Sequence, residues 1–91
     1  MSLMLEIITP NRVFFNERVD LVRVPGSKGS FAMLRGHLPI ISTLEPGIIK
    51  IVQHLESRYF ELGEKAIVEQ HNNKVTIIAT AIEESYPIFV R

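Results

Sequence analysis

The sequence contains no cysteine and no tryptophan, and neither acidic nor basic residues are in excess. The lack of cysteine excludes disulfides and thiolate metal sites within the chain. Ten Lys and Arg residues balance ten Asp and Glu residues, so the chain lacks the clustered basic excess that nucleic-acid phosphates require. No apolar run approaches the ~20 residues that span a bilayer, and the amino terminus does not have the pattern of a secretory signal. The chain is therefore interpreted as cytosolic or peripheral.

What is present predicts one globular domain. The 91 residues are 46% hydrophobic and 22% charged, a balance typical of a folded chain with room for one core. We interpret residues 1–3, which precede a second methionine at Met4, as a vector-derived leader. Residues 4–85 form the predicted domain, and residues 86–91 form a carboxyl-terminal tail.

Glycine and proline divide the chain into short segments. Pro-Gly occurs at Pro25-Gly26 and at Pro46-Gly47, where it suits the centre of a type II turn. The intervening segments are rich in β-branched residues, as in residues 74–80, and no segment shows a sustained helical period. The connections at residues 54–57 and 71–73 are typical of hairpins. We predict an all-β fold, a small β-sandwich or flattened barrel of roughly eight to ten short strands.

Two of these strands are apolar at consecutive positions, residues 48–52 and Ile77-Ile78. Successive side chains of a strand point to opposite faces, so both faces of these strands require cover. A small sandwich has one interior. The second apolar face is therefore either a small cluster under a loop or a surface that another chain covers.

Candidate catalytic and ligand-binding groups do not combine into a site. The loop at residues 26–30 has its lysine before the glycine, and a strand-like segment follows it, so it does not match a phosphate-binding P-loop. Adjacent Glu83 and Glu84 point to opposite faces of a strand and cannot act as a carboxylate dyad. No second ligand stands at metal-binding spacing from any histidine; the histidines are His37, His54 and His71. We predict no catalytic residue, no metal and no cofactor.

Five blocks of sequence, in order, carry a resemblance to a known family. They are residues 5–10, the hydrophobic positions from Val13 to Val22, the glycine-rich stretch from Val24 to Ile41, residues 44–51, and the strand-like residues 73–79. Together they resemble the amino-terminal β-sandwich of the epsilon subunit of F-type ATP synthases, in a short form without the carboxyl-terminal helical hairpin. The resemblance covers nearly the whole chain.

The resemblance implies a non-catalytic rotor subunit of the central stalk in a proton- or sodium-translocating ATP synthase. Such a subunit joins the gamma subunit to the membrane c ring and couples ion flow to ATP synthesis, without binding ATP itself. It is peripheral, on the cytoplasmic face of the bacterial inner membrane, and is held there only through the complex. The implied ring-facing residues are Ser27, Lys28, Ser30, Arg35 and His37, and the implied gamma-facing residues are Thr9, Ile41 and Ser42.

The chain departs from the family pattern at several positions. Ser30 stands where an acidic residue often occurs in the ring-facing loop, and Thr80 stands where an acidic residue usually follows the last strand. Gly63-Glu64 replaces a double glycine. The family commonly continues into a helical hairpin that carries autoinhibition of ATP hydrolysis, whereas Pro87 and its β-branched neighbours would begin a helix poorly. We expect no autoinhibition from this chain.

Two other functions remain as alternatives. A free-standing sandwich that binds carbohydrate or peptide would need exposed aromatic residues around a groove, and this chain has only two tyrosines and no tryptophan. A small hydrolase would need a nucleophile with an acid–base partner, which no spacing in the sequence suggests.

Overall fold

Ten strands form the fold, in a computed structural model that describes residues 2–86. The strands are β1 (Leu3–Thr9), β2 (Arg12–Val19), β3 (Leu21–Val24), β4 (Phe31–Met33), β5 (Ile40–Leu44), β6 (Gly47–Gln53), β7 (Glu56–Leu62), β8 (Ala66–His71), β9 (Lys74–Ile78) and β10 (Ile82–Ser85). The predicted all-β fold is confirmed. Within these residues, no helix has the length and apolar character needed to cross a membrane.

The strands make two five-stranded sheets. Sheet one has the order β2-β1-β9-β8-β5, and sheet two has the order β10-β7-β6-β3-β4. All neighbouring strands pair antiparallel except β1 and β9, which are parallel at the centre of sheet one. Leu3, which the sequence assigned to a leader, begins β1 with a fully buried side chain. The predicted tail lies outside the described residues beyond Tyr86.

The core lies between the two sheets and is built from alternate side chains. In β1, Leu5 and Ile7 are fully buried while the side chains between them face outward. In β6, Ile49 and Ile51 are buried in the same way from the opposite sheet. The strand period of two therefore divides each strand between one interior face and one exterior face.

A bulge in β2 brings two aromatic rings into the core from neighbouring positions. Ile7 pairs with Phe15 and Ile8 pairs with Val13, so Phe14 is the extra residue. Both Phe14 and Phe15 consequently reach Phe60 of β7 in edge-to-face contacts, with ring centroids 5.6 and 5.4 Å apart. Such contacts add to the stabilisation from burial alone.

Both predicted connections are hairpins, but each turn has only two residues, because Glu56 and Ser57 belong to β7 and His71 belongs to β8. Asn72 and Asn73 have φ angles of 51° and 58°, and His54 and Leu55 have φ angles of 53° and 68°. Asparagine adopts this left-handed conformation readily, whereas leucine does so at a cost. Leu55 is nonetheless 97% exposed, so no burial of its side chain compensates for that cost.

The predicted type II turn at Pro25-Gly26 is wrong, because Gly26 lacks the positive φ that such a turn requires. Gly26 instead forms an isolated bridge with Leu44 of β5. Its lack of a side chain matters for space: a Cβ here would lie 2.7 Å from the carbonyl oxygen of Gly29 and 2.7 Å from a ring carbon of Phe31.

Substitution of Gly26 by alanine should therefore destabilise the fold. Since both contacts are too short, the loop must shift, and we expect a loss of about 1–3 kcal/mol in the free energy of unfolding, measured by urea titration. Gly63→Ala is the matched control, because its Cβ would make an ordinary 3.4 Å contact with Ala81. Equal stability of the two variants would contradict the steric explanation.

Candidate interaction surfaces

The loop at residues 27–30 is fastened to the carboxyl end of β5. The Ser27 hydroxyl donates to Glu45 Oε2 at 2.6 Å and accepts from the Thr43 hydroxyl at 2.8 Å. The Ser27 amide also donates to the carbonyl oxygen of Thr43 at 3.0 Å. Lys28 and Ser30 are exposed on this loop. The loop thus presents a cation and hydroxyl groups on a fixed backbone.

The corner at residues 34–38 is fastened to the turn between β8 and β9. The amide of Gly36 donates to Asn73 Oδ1 at 2.7 Å. His37 Nδ1 lies 2.7 Å from the carbonyl oxygen of Leu38 and donates to it in the tautomer that carries hydrogen on Nδ1. In the side-chain amide orientation that satisfies both of its polar atoms, buried Gln70 donates from its nitrogen to the carbonyl oxygens of His37, at 3.1 Å, and Leu38, at 2.8 Å. Arg35 is exposed here.

The two predicted ring-facing groups lie at opposite ends of one lateral edge. The loop at residues 27–30 meets the end of β5 and the corner meets its beginning. At about 3.3 Å per residue, the five residues of β5 separate them by roughly 13 Å. Ile41, 73% exposed, lies between them. A flat partner that touched both groups would therefore also cover Ile41, which the resemblance assigns to a different partner.

The three predicted gamma-facing residues all belong to sheet one but do not form one cluster. Thr9 ends β1, where its hydroxyl donates to the carbonyl oxygen of Arg12 at 3.1 Å. Ile41 and Ser42 lie three strands away in β5. The side chain of Ile41 faces outward, while half-buried Ser42 alternates to the inner side. Thr9 follows outward-facing Ile8, so a partner that contacts both Thr9 and Ile41 reaches the end of β1 as well as the outer face of this sheet.

An apolar row crosses that outer face between the two groups. Ile8 pairs with Val13 on one side and with Ile78 on the other, and Ile78 pairs with Ile67. Val13, Ile78 and Ile67 are 53%, 56% and 47% exposed, and Ile8 is half-buried. We call these four residues the apolar row. One end of the row is Val13 in β2, Ile8 directly precedes Thr9 in β1, and at the other end Ile67 pairs with Thr43 of β5.

The apolar row shows what lies on the second face of one of the two doubly apolar strands, β9. Ile77 is fully buried in the core, while neighbouring Ile78 is exposed rather than covered by any loop within residues 2–86. The second apolar face of β9 is thus an exposed surface. The consecutive apolar residues Ile77 and Ile78 indicated this exposed face from the sequence. The other members of the row occur in segments of ordinary alternation, so only strand order and register show that they align with Ile78.

Polar residues border the apolar row on one side. Glu6 and Glu69 occupy the next register positions on the same face, joined through Thr76. Lys74 Nζ lies 3.4 Å from Glu6 Oε1. An apolar centre with a polar border is the anatomy of many protein interfaces.

A groove opens at the lateral edge formed by β4 and β5. Its volume is about 640 Å³, and it is lined by residues 27–31 and 40–43. It therefore brings together Lys28, from the predicted ring-facing set, and Ile41 and Ser42, from the predicted gamma-facing set. The sequence alone did not reveal that residues 27–31 lie beside residues 40–43. The chain between them turns at the corner, and only the strand arrangement shows that it returns along the same edge.

The opposite lateral edge is closed by Arg58. Its guanidinium donates to both carboxylate oxygens of Glu84 in β10, at 3.1 and 3.2 Å, and to Gln53 Oε1 at 3.3 Å. It also lies over the rings of Phe15 and Phe60, 5.3 and 5.7 Å from their centroids. The hydrogen bond to Glu84 raises the pKa of Arg58 above its usual value. This cluster has the character of a structural clamp because its groups already contact one another.

The acidic and histidine side chains of residues 2–86 do not form a group of three or more that could hold a metal ion. Glu83 and Glu84 alternate across β10, in agreement with the sequence argument, and Glu84 is engaged by Arg58. The candidate sites that remain are the apolar row, the groove and the loop at residues 27–30.

We expect Arg58→Met to loosen β10. The variant keeps an apolar stem but loses the paired hydrogen bonds to Glu84, so amides of residues 82–85 should exchange faster in native-state hydrogen exchange. The loss of global stability should be about 1 kcal/mol, since the pair is partly exposed. Lys74→Met, which removes the exposed contact with Glu6, is the control and should change stability by less than about 0.5 kcal/mol. Unchanged exchange in β10 would show that Arg58 is not its clamp.

Sequence comparison connects the chain to known proteins. A family model described as "ATP synthase, Delta/Epsilon chain, beta-sandwich domain" matches residues 2–85. The ATP synthase epsilon chain of Pelotomaculum thermopropionicum is 38% identical over 87 residues, which cover 94% of this chain and 63% of that protein. The chain spans less than two thirds of the length of four curated ATP synthase epsilon chains that it matches.

Solved structures share the fold at low sequence identity. A chain of the Euglena gracilis mitochondrial ATP synthase, in a structure that includes the c-ring, aligns with a TM-score of 0.85 and 15% identity over 91% of this chain and 53% of that one. A chain from the central stalk and c-ring of the Tetrahymena thermophila mitochondrial ATP synthase aligns with a TM-score of 0.77 and 17% identity, over 91% of this chain and 66% of that one.

Proposed function

The chain belongs to the family of ATP synthase delta/epsilon chains through its β-sandwich domain, and from this premise we propose that it is a non-catalytic subunit of the central stalk. In this function it joins the gamma subunit to the membrane c ring of a proton- or sodium-translocating ATP synthase. It is held at the cytoplasmic face of the membrane through the complex. The names of the two solved assemblies, which include a c-ring and a central stalk, support this position in the enzyme.

The apolar row is the observation that carries the proposal. Four apolar side chains, one on each of four adjacent strands, form a stripe at the solvent-facing surface of the chain. A contiguous exposed apolar stripe is typical of a surface that binds a partner. The stripe includes Ile8, the neighbour of Thr9, and ends at Ile67 beside β5, so it lies between the two places where the family resemblance puts the gamma subunit. We therefore assign the gamma contact to the outer face of sheet one. Completing the burial of these half-exposed side chains contributes about 1 kcal/mol each.

The loop at residues 27–30 is the proposed ring contact. Its three hydrogen bonds to Thr43 and Glu45 hold it in place at the end of the sandwich, so its exposed Lys28 and Ser30 are presented on a rigid support. The resemblance also implies a ring contact for Arg35 and His37, which the present proposal does not include. A flat ring that contacted both the corner and the loop at residues 27–30 would also cover Ile41, which the resemblance assigns to the gamma subunit.

A stiff block suits a part that transmits torque. The interior of the sandwich is close-packed from both sheets, and such interiors resist deformation. The Arg58 clamp fastens the last described strand to the same body. Rotation applied at one surface is thereby passed to the other without being absorbed by internal rearrangement.

Co-expression with the gamma subunit of the same genome tests the assignment. We expect the two chains to elute together at one-to-one on size exclusion, and we expect Ile78→Glu to weaken the complex at least about tenfold, because it places a charge at the centre of the apolar row. The matched control is Leu55→Glu. It changes another exposed apolar residue, at the β6–β7 turn, and should leave the complex intact.

Separate elution of the two wild-type chains, with this one a stable monomer at micromolar concentration, would contradict the proposal. It would favour the free-standing module that binds peptide or carbohydrate. Equal weakening by both glutamate variants would instead move the contact away from the apolar row.

Single cysteines test the ring contact, and the chain has no cysteine of its own to interfere. In the assembled enzyme, Ser30→Cys should form a disulfide with cysteines introduced in the polar loops of the c ring. His37→Cys, at the other end of the same edge, is the control and should not. The reverse pattern would transfer the ring contact from the loop to the corner.

A further inference from the structure

The edge of β5 has main-chain hydrogen-bonding groups that the fold leaves open. β5 is the outermost strand of sheet one, next to β8. Thr43 and Glu45 direct their main-chain groups away from β8, since they bond to Ser27 and Pro25. The direction of the main-chain groups alternates from one residue of a strand to the next, so residues two apart point to the same side. The amide and carbonyl of Ile41, two residues before Thr43, therefore also point away from β8. Within residues 2–86, nothing bonds to the amide or carbonyl of Ile41 outside the sheet.

The edges at β2 and β10 carry protective features that the edge beside Ile41 lacks. β2 carries a bulge at Phe14 and exposed charges at Glu17 and Arg18, and β10 is held by Arg58. Bulges and charges are common means of preventing edge-to-edge pairing. Beside Ile41 there is instead the groove of about 640 Å³. Its lining includes Phe31 and Ile40, which pack against the core.

The groove has a simple chemical character. It combines open main-chain groups at Ile41, an apolar floor, and Lys28, the one charged side chain among its described lining residues. An extended peptide matches the first two features, since a strand added to a sheet edge gains affinity from main-chain hydrogen bonds and specificity from alternate side chains. A carboxylate matches the third.

We propose that an extended segment of the partner stalk subunit adds to sheet one as a sixth strand beside β5. Its main chain bonds to the amide and carbonyl of Ile41, and an acidic side chain of the segment meets Lys28. The inference rests on the proposed function for the identity of the partner, and it adds the mode of recognition. In this arrangement Lys28 contacts the stalk segment, and the ring contact of the loop at residues 27–30 is left to Ser30.

A second copy of this chain fits the groove less well. Pairing of two β5 edges would bring residues 40–44 of the copy into the groove, and that segment has no acidic residue to meet Lys28. Glu45, the nearest carboxylate, already accepts a hydrogen bond from Ser27. Charge complementarity therefore favours a different chain that carries an acid.

The first test uses the co-expressed complex with the gamma subunit. Ile41→Pro removes the open amide without breaking a bond to β8, and proline is accepted at such positions of edge strands. We expect its dissociation constant to rise about tenfold, a value corresponding to one lost hydrogen bond. Ile41→Val keeps the amide and most of the apolar surface, so its affinity should stay within about threefold. Lys28→Glu should weaken binding about tenfold, with Lys65→Glu as the surface-charge control.

Hydrogen exchange at Ile41 gives the direct measurement and does not depend on how well the proline variant folds. The Ile41 amide should exchange rapidly in the free chain and become protected in the one-to-one complex. A stable complex in which this amide still exchanges rapidly would overturn the inference and leave the proposed function standing. Protection in the free chain that increases with its concentration would identify a second copy as the occupant and overturn it as well. Failure of the two subunits to associate would remove the proposed function, and the inference with it.

Discussion

A strand in a two-layer sandwich can bury only every second side chain, and this constraint shapes both the interior and the surface of the protein. Inward positions such as Leu5, Ile7 and Ile77 form the core between the sheets. Wherever a strand is apolar on both faces, the other half of its side chains must remain outside. Ile78 is outside for this reason, and strand pairing aligns it with Ile8 and other apolar residues. The surface assigned to the partner is thus a product of the same geometry that builds the core.

The two lateral edges of the sandwich differ in what they leave available. At one edge, Arg58 ties β10 and the phenylalanine cluster together, so polar groups there are engaged within the chain. At the other edge, Ile41 keeps open main-chain groups beside a groove with one cation, Lys28. The hydroxyl contacts of Ser27 fix the wall of that groove. The fold is therefore closed where it needs only stability and open where it meets the proposed partner.

Local patterns were sufficient to predict the strands, the hairpin turns and the all-β class, since these depend on β-branched alternation and on residues such as Asn72 and Asn73 that accept positive φ. Properties that depend on register were not accessible. The bulge at Phe14 and the alignment of Ile8 with Ile78 require knowledge of which strands pair and where. The turn at Gly26 was predicted from its proline neighbour, but steric crowding rather than positive φ explains the glycine. Family resemblance named plausible contact residues, but could not show that the loop and the corner occupy opposite ends of an edge.

The central position of β1 has a consequence for how the chain acquires its structure. β1 pairs on one side with β2, its immediate neighbour in sequence, and on the other with β9, which begins at Lys74. During synthesis the open side of β1 must wait for most of the chain to emerge, since no earlier segment supplies its partner. Long-range pairing of this kind slows folding, and unpaired strand edges favour misassembly meanwhile. The sheet that carries the apolar row therefore assembles late. The row cannot form as a continuous surface until β9 has been synthesised.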